Sequence, residues 1–180
     1  DYPEEFFKER LHTIRRPKPD DFQIKEAAEL IKKSKKPIII AGGGVFYSDA
    51  TEELSSFASK HNIPVTQTVM GYSSIKKDHS HYLGTIGGLG GKAANNLSKE
   101  TDTAIAIGTK LADFTTGSWA NFENPKFQLV SINTARFDAN KHMAQAIVGD
   151  AKVSLTELSQ ALGSWKADDS WYKKSRVELR

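Results

Sequence analysis

Short runs that are apolar on consecutive residues alternate along this chain with segments whose apolar residues recur at helical spacing. The runs are "IIIA" (38–41), "IPVTQT" (63–68), "TAIAIG" (103–108), "FQLVSIN" (127–133) and "AIVGD" (146–150), and a sixth short strand is expected near Tyr82 and Leu83. A strand that is apolar throughout must be covered on both faces, which is the condition of a parallel sheet between two layers of helices. The helical segments supply those layers. Ile24, Ala27, Ala28, Leu30 and Ile31 repeat from Gln23 until Pro37 closes the segment. Leu54, Phe57 and Ala58 share one face of 50–60, a further helix starts near Lys92, and 153–162 forms another. Right-handed crossovers turn this order into an α/β, doubly wound, Rossmann-like parallel sheet of five or six strands with helices on both faces.

At 180 residues the chain has room for one core with appendages. "RRPKPDD" has two prolines close together, so 1–22 is expected to be an interdomain linker, 23–163 the domain, and 164–180 an arm leading to a further domain. The missing initiator Met fits a piece of a longer protein. With 25 basic and 22 acidic residues the net charge is only +3, and the run Lys32-Lys33-Ser34-Lys35-Lys36 reads as a solvated helix end, not a nucleic-acid patch. The absence of cysteine excludes disulfides, thiolate metal sites and thiol nucleophiles, and suits a cytoplasmic protein. No apolar run approaches the roughly 20 residues that span a bilayer.

In an open parallel sheet ligands bind beyond the carboxyl ends of the strands. Those positions are Gly42, Gly43 and Gly44, then Gly108 and Thr109, Asn133, and Gly149 with Asp150. Read from Gly42, the dinucleotide loop G-x-G-x-x-G has Tyr47 where its last glycine belongs, and "IPVTQT" ends without the expected acid. The triple glycine therefore reads first as a tight turn needing positive φ. "GGLGGK" is not a P-loop, because Ile86 and Ala93 occupy positions that require glycine and a hydroxyl. Its glycines would still let a helix approach something bulky, such as a partner domain or a flat cofactor. His79 and His81 beside Asp78 lack an evident third ligand. Asp113, Thr115, Thr116 and Ser118 could hydrogen-bond a polyol or phosphate, with capping the simpler role, and Asp150 suits a helix N-cap. No catalytic residue and no metal site is assigned.

"KPIIIAGGG", "LGTIGGLGGKAANN", "AIAIGTKLADFTTGSW", "LVSINTARFDANKH" and "VGDAKVSL" resemble, in sequence and spacing, the central domain of thiamine-diphosphate-dependent enzymes, in particular the acetohydroxyacid synthase and glyoxylate carboligase group. "YPEEFFKERLHTIRRPKPD" and "DFTTGSWANF" narrow the resemblance to the trihydroxycyclohexane-dione hydrolase family of myo-inositol catabolism, which cleaves a carbon–carbon bond of a cyclic dione. The resemblance implies a homo-oligomer whose thiamine diphosphate and magnesium are bound outside this segment, between an N-terminal pyrimidine domain and a C-terminal diphosphate domain. The magnesium motif Gly-Asp-Gly is absent, since Ala151 follows Gly149 and Asp150. Some relatives hold FAD in the central crevice. Here Asn133 stands for their anchoring acid and Thr115 for their arginine, which argues against FAD. Three readings stay open at this point: the inactive middle domain of such a hydrolase, an FAD- or nucleotide-binding module, and an unrelated doubly wound protein of deacetylase-like type.

Overall fold

The computed structural model describes residues 1–168 and 170–177. Helix α1 (Asp21–Lys33) begins at Asp20, whose carboxylate accepts the backbone N–H groups of Phe22 and Gln23. This capping satisfies donors that the first helical turn leaves unpaired. The helix thus opens inside the stretch that the prolines assign to the linker. Strand β1 (Pro37–Ala41) runs into the five-residue α2 (Gly43–Tyr47), then α3 (Thr51–His61) and β2 (Val65–Gln67). The sixth strand expected near Tyr82 is present as β3 (Tyr82–Thr85), followed by α4 (Lys92–Glu100) and β4 (Thr103–Ile107). The remainder is α5 (Asp113–Thr116), β5 (Gln128–Asn133), α6 (Arg136–Ala139), β6 (Gln145–Val148), α7 (Ala151–Leu162) and α8 (Ser170–Val177).

The strands form one six-stranded sheet in the order β3-β2-β1-β4-β5-β6, every pair parallel. The strand order reverses between β1 and β4, which makes that gap the topological switch point. Successive residues serve opposite layers. Ile39, Ile105 and Val130 pack with α1, α3 and α7, whereas Ile38, Ala104 and Leu129 pack with α4 and Tyr172 of α8. Each fully buried Ile or Leu of this kind contributes about 1.5–3 kcal/mol relative to exposure.

The segment expected to leave as an arm folds back on the domain; 169 and 178–180 of it lie outside the described residues. Ala167 N–H donates to the His61 carbonyl, the Asn62 amide donates to the Ala167 carbonyl, and the Tyr172 hydroxyl donates to Asn62. His61 is fully buried, with Nδ1 2.8 Å from the Trp165 carbonyl and Nε2 3.0 Å from the Ser159 hydroxyl. A carbonyl only accepts, so Nδ1 carries the proton and Nε2 accepts from Ser159. Burial holds the His61 pKa below the ordinary 6.5, and the nearby Lys60 and Lys166 charges act in the same direction. In the unfolded chain this imidazole takes up a proton more readily. Stability contributed by neutral His61 is therefore complete above pH 6.5 and declines as pH falls below it. The urea midpoint is expected to drop between pH 7.5 and 5.5, and to drop less in His61→Gln; equal pH profiles would show that the ring titrates freely.

Candidate functional site

Gly42, Gly43, Gly44, Gly108, Thr109 and Asn133 meet at the carboxyl ends of β1, β4 and β5. The two turns at the switch point touch through their backbones. Gly42 N–H donates to the Ile107 carbonyl (2.8 Å), Gly44 N–H to the Gly108 carbonyl (2.9 Å), and Gly108 N–H to the Ile132 carbonyl (2.8 Å). A Cβ on Gly42 would lie 2.4 Å from the Gly108 oxygen, and one on Gly44 would lie 2.5 Å from the Gly108 Cα. Positive φ is not what the triple glycine answers: Gly42 has φ −105°, and Gly43 and Gly44 are helical. The left-handed residue is Gly108, at φ +60°. Close approach of two backbones is the requirement, and glycine alone meets it.

The same contacts determine what the crevice offers. The Gly44 N–H is taken up by Gly108, and Tyr47 is 72 % exposed where a dinucleotide loop needs a glycine. Asn133 accepts the Ala135 N–H at 3.0 Å and donates to the Thr109 carbonyl at 3.4 Å, so it links two turns. Thr109 accepts the Leu111 N–H. At the end of β2, buried Gln67 donates to the Tyr82 hydroxyl of the neighbouring strand.

A strap absent from the sequence reading covers this crevice. Ile14, Arg15 and Pro17 lie over Gly44, Gly108, Asn133 and Asp150 and enclose a cavity of about 440 Å³. Arg16 donates to the Ser48 carbonyl and to the Asp150 carboxylate, the latter at 3.3 Å. Asp150 N–H donates to the Pro17 carbonyl, and a Cβ on Gly149 would lie 3.0 Å from Pro19. Residues 1–18 are exposed and Pro19 is buried, yet the stretch from Ile14 to Pro19 lies against the domain through the Arg16, Pro17 and Pro19 contacts. The "RRP" arginines gave a signal without a partner, since Arg16 and Asp150 are 134 residues apart.

Asp150 has the N-cap role expected of it, accepting from Lys152 and Val153 N–H at 3.0 and 3.3 Å. Its carboxylate is occupied by the helix and by Arg16 and does not fit a magnesium ligand. The diphosphate-holding role of a Gly-Asp-Gly motif is therefore not available here. Lys152 ties the start of α7 to the turn between α2 and α3; its pKa is raised, mainly by its hydrogen bond to Asp49.

The other motifs are taken up internally. The glycines of "GGLGG" let the loop approach the chain's own α5: Gly88 N–H donates to the Phe114 carbonyl, and a Cβ on Gly87 would lie 2.5 Å from that oxygen. Asn95 closes the loop by bonding both Gly87 N–H and its carbonyl. Asp113 accepts the Ser118 hydroxyl at 2.8 Å, and Thr116 donates to the Asp113 carbonyl. His79 bonds Ser59, while His81 bonds Asn62 and Ser80. Among the described residues no group of three His, Cys, Asp or Glu could hold a metal ion.

Sheet order and switch point define a doubly wound α/β domain, and comparison of sequences supplies the family. Residues 24–158 match the family "Thiamine pyrophosphate enzyme, central domain", and the chain belongs to that family. Its similarities then run to proteins named 3D-(3,5/4)-trihydroxycyclohexane-1,2-dione hydrolase. The chain is 44% identical over 171 residues to that of Clostridium perfringens (strain 13 / Type A), covering 95% of the chain and 27% of the relative. It is 45% identical over 162 residues to that of Clostridium tetani (strain Massachusetts / E88), covering 90% of the chain and 25% of the relative. The chain thus spans about a quarter of the length of the curated relatives it matches.

Proposed function

We propose that this chain is the central, non-catalytic domain of a thiamine-diphosphate-dependent hydrolase that cleaves a carbon–carbon bond of a cyclic inositol-derived dione. Its role is to space and orient a pyrimidine domain before it and a diphosphate domain after it, within a cytoplasmic homo-oligomer. One observation carries the reading: at the switch point the Gly42, Gly44 and Gly108 N–H groups are bonded to neighbouring backbone, Asn133 links two turns, and Asp150 is occupied by Arg16 and α7. The chemistry of such an enzyme belongs to its cofactor, whose ring serves as an electron sink. The cofactor and its magnesium would be bound outside this chain.

The full-length product, supplied with thiamine diphosphate and magnesium, is expected to open the dione ring, while this chain alone shows no turnover. Absence of ring opening by the full-length protein would defeat the substrate assignment. Titration with FAD is expected to leave the melting temperature of the chain unchanged. A ligand at 100 times its dissociation constant would stabilise by roughly 2.7 kcal/mol, a shift readily measured, and such a shift would favour the nucleotide-binding reading instead.

A further inference from the structure

We infer that the carboxyl end of the sheet is a docking face, and that its occupant is the polypeptide preceding this chain in the full-length enzyme. This rests on the proposed reading of the chain as a middle domain. Each of β1 to β5 is followed within seven residues by a large apolar side chain left more than 40 % exposed: Phe46, Val69, Leu89, Phe114 and Phe137, with Met70 beside Val69 at 75 %. A scattered exposed hydrophobe needs no explanation, but a concentration at one end marks a surface built to be covered.

Val69, Met70 and Phe114 border one hollow, with Phe46 next to its Tyr47 wall. A Cβ on Gly43 would lie 3.0 Å from the Met70 carbonyl and 3.7 Å from the Tyr47 ring, and Gly88 sits 3.2 Å from the Phe114 ring by the same measure. Between Tyr47, Met70 and Phe114 is a hollow of about 360 Å³ in which, among the described residues, Lys110 is the one charged lining residue. Aromatic residues and methionine with few charges are the composition of a buried interface centre.

The path of the chain selects the occupant. The curated relatives are about four times as long, so most of such an enzyme lies beyond these residues. The strap brings the upstream chain to this end: Ile14 and Arg15 border Gly44, Tyr47 and Gly108, which also line the apolar hollow. Downstream, Ala167 and Tyr172 are bonded to His61 and Asn62, which lead into β2 at the opposite end of the sheet.

The test uses the full-length protein with a photoreactive benzoylphenylalanine replacing Phe114. Adducts within one chain to sequence upstream of Asp1 are expected. Adducts to residues 1–13, to downstream sequence or between chains, or no adduct at all, would overturn the assignment. Hydroxyl-radical oxidation of the same protein supplies a second readout, with Met143, 99 % exposed, as reference. Met70 is expected to react at least about tenfold more slowly than Met143, and equal rates would refute a covered face. The ring-opening assay is independent of both readouts. Inactivity with the adduct intact removes the substrate assignment alone, whereas activity without the adduct removes the docking face alone.

Discussion

Alanine at Gly108 is expected to lower the unfolding free energy by about 2–5 kcal/mol. Left-handed backbone costs a residue with a Cβ about 1–2 kcal/mol, and overpacking a filled site adds about 1–3 kcal/mol. Both apply here, because Gly108 has φ +60° and its Cβ would lie 2.5 Å from the Gly44 Cα. The obstacle is backbone from the neighbouring turn, which cannot rotate aside as a side chain does. Two strands would have to separate at the switch point, and the Gly44-to-Gly108 hydrogen bond of 2.9 Å would stretch with them. With a urea m-value of about 2 kcal/mol/M, the midpoint should fall by about 1–2.5 M. Gly91→Ala is the control: nothing lies within 4 Å of a Cβ there, and φ is −79°. Its loss should stay within about 0.5 kcal/mol, the few tenths that separate glycine from other residues at an N-cap and little more. Equal effects at the two positions would show that the crossing of backbones does not require glycine.

That contrast also shows what the sequence could and could not reveal. The strands were legible because a parallel sheet buries both faces, so Ile38, Ile39 and Ile40 announce a strand without any partner in view. Even the short β3 left a trace in Tyr82 and Leu83, although Gly84 breaks the run with φ +91°. The four- and five-residue helices α2, α5 and α6 left none, since a single turn shows no period. The triple glycine was conspicuous, but its cause was not: whether glycine serves a left-handed turn or a close approach depends on a second turn 64 or more residues away. The strap was invisible for the same reason. Prolines indicated a stretch outside helix and strand, yet such chain can be free or docked, and only the distant Asp150 and Ser48 decide between them. What the C-terminal segment packs against was likewise not legible, because Trp165 and Tyr172 find their partners on α3 and on Asn62.

Asp150 unites the strap and the fold, so Asp150→Ala is expected to cost about 1.5–3 kcal/mol. Loss of an N-cap accounts for about 1 kcal/mol, because Lys152 and Val153 N–H lose their acceptor at the start of α7. The remainder comes from the Arg16 pair. The Asp150 side chain is 3 % exposed but that of Arg16 is 34 % exposed, so water screens the cation and the pair falls below the worth of a fully buried one. Asp150→Asn separates the two contributions, since asparagine caps as well as aspartate but carries no charge. It should retain most of the stability while residues 14–19 exchange their amide hydrogens faster. Arg16→Ala should loosen the strap to a similar degree and leave α7 intact. A double-mutant cycle between Arg16→Ala and Asp150→Asn is expected to give a coupling above about 0.5 kcal/mol, as contacting charged residues do. Additive effects, with unchanged exchange at 14–19, would mean that the strap is held by the Pro17 carbonyl and by packing of Pro19 against Gly149. In that case the ion pair would be incidental to how the upstream chain is fixed over the crevice.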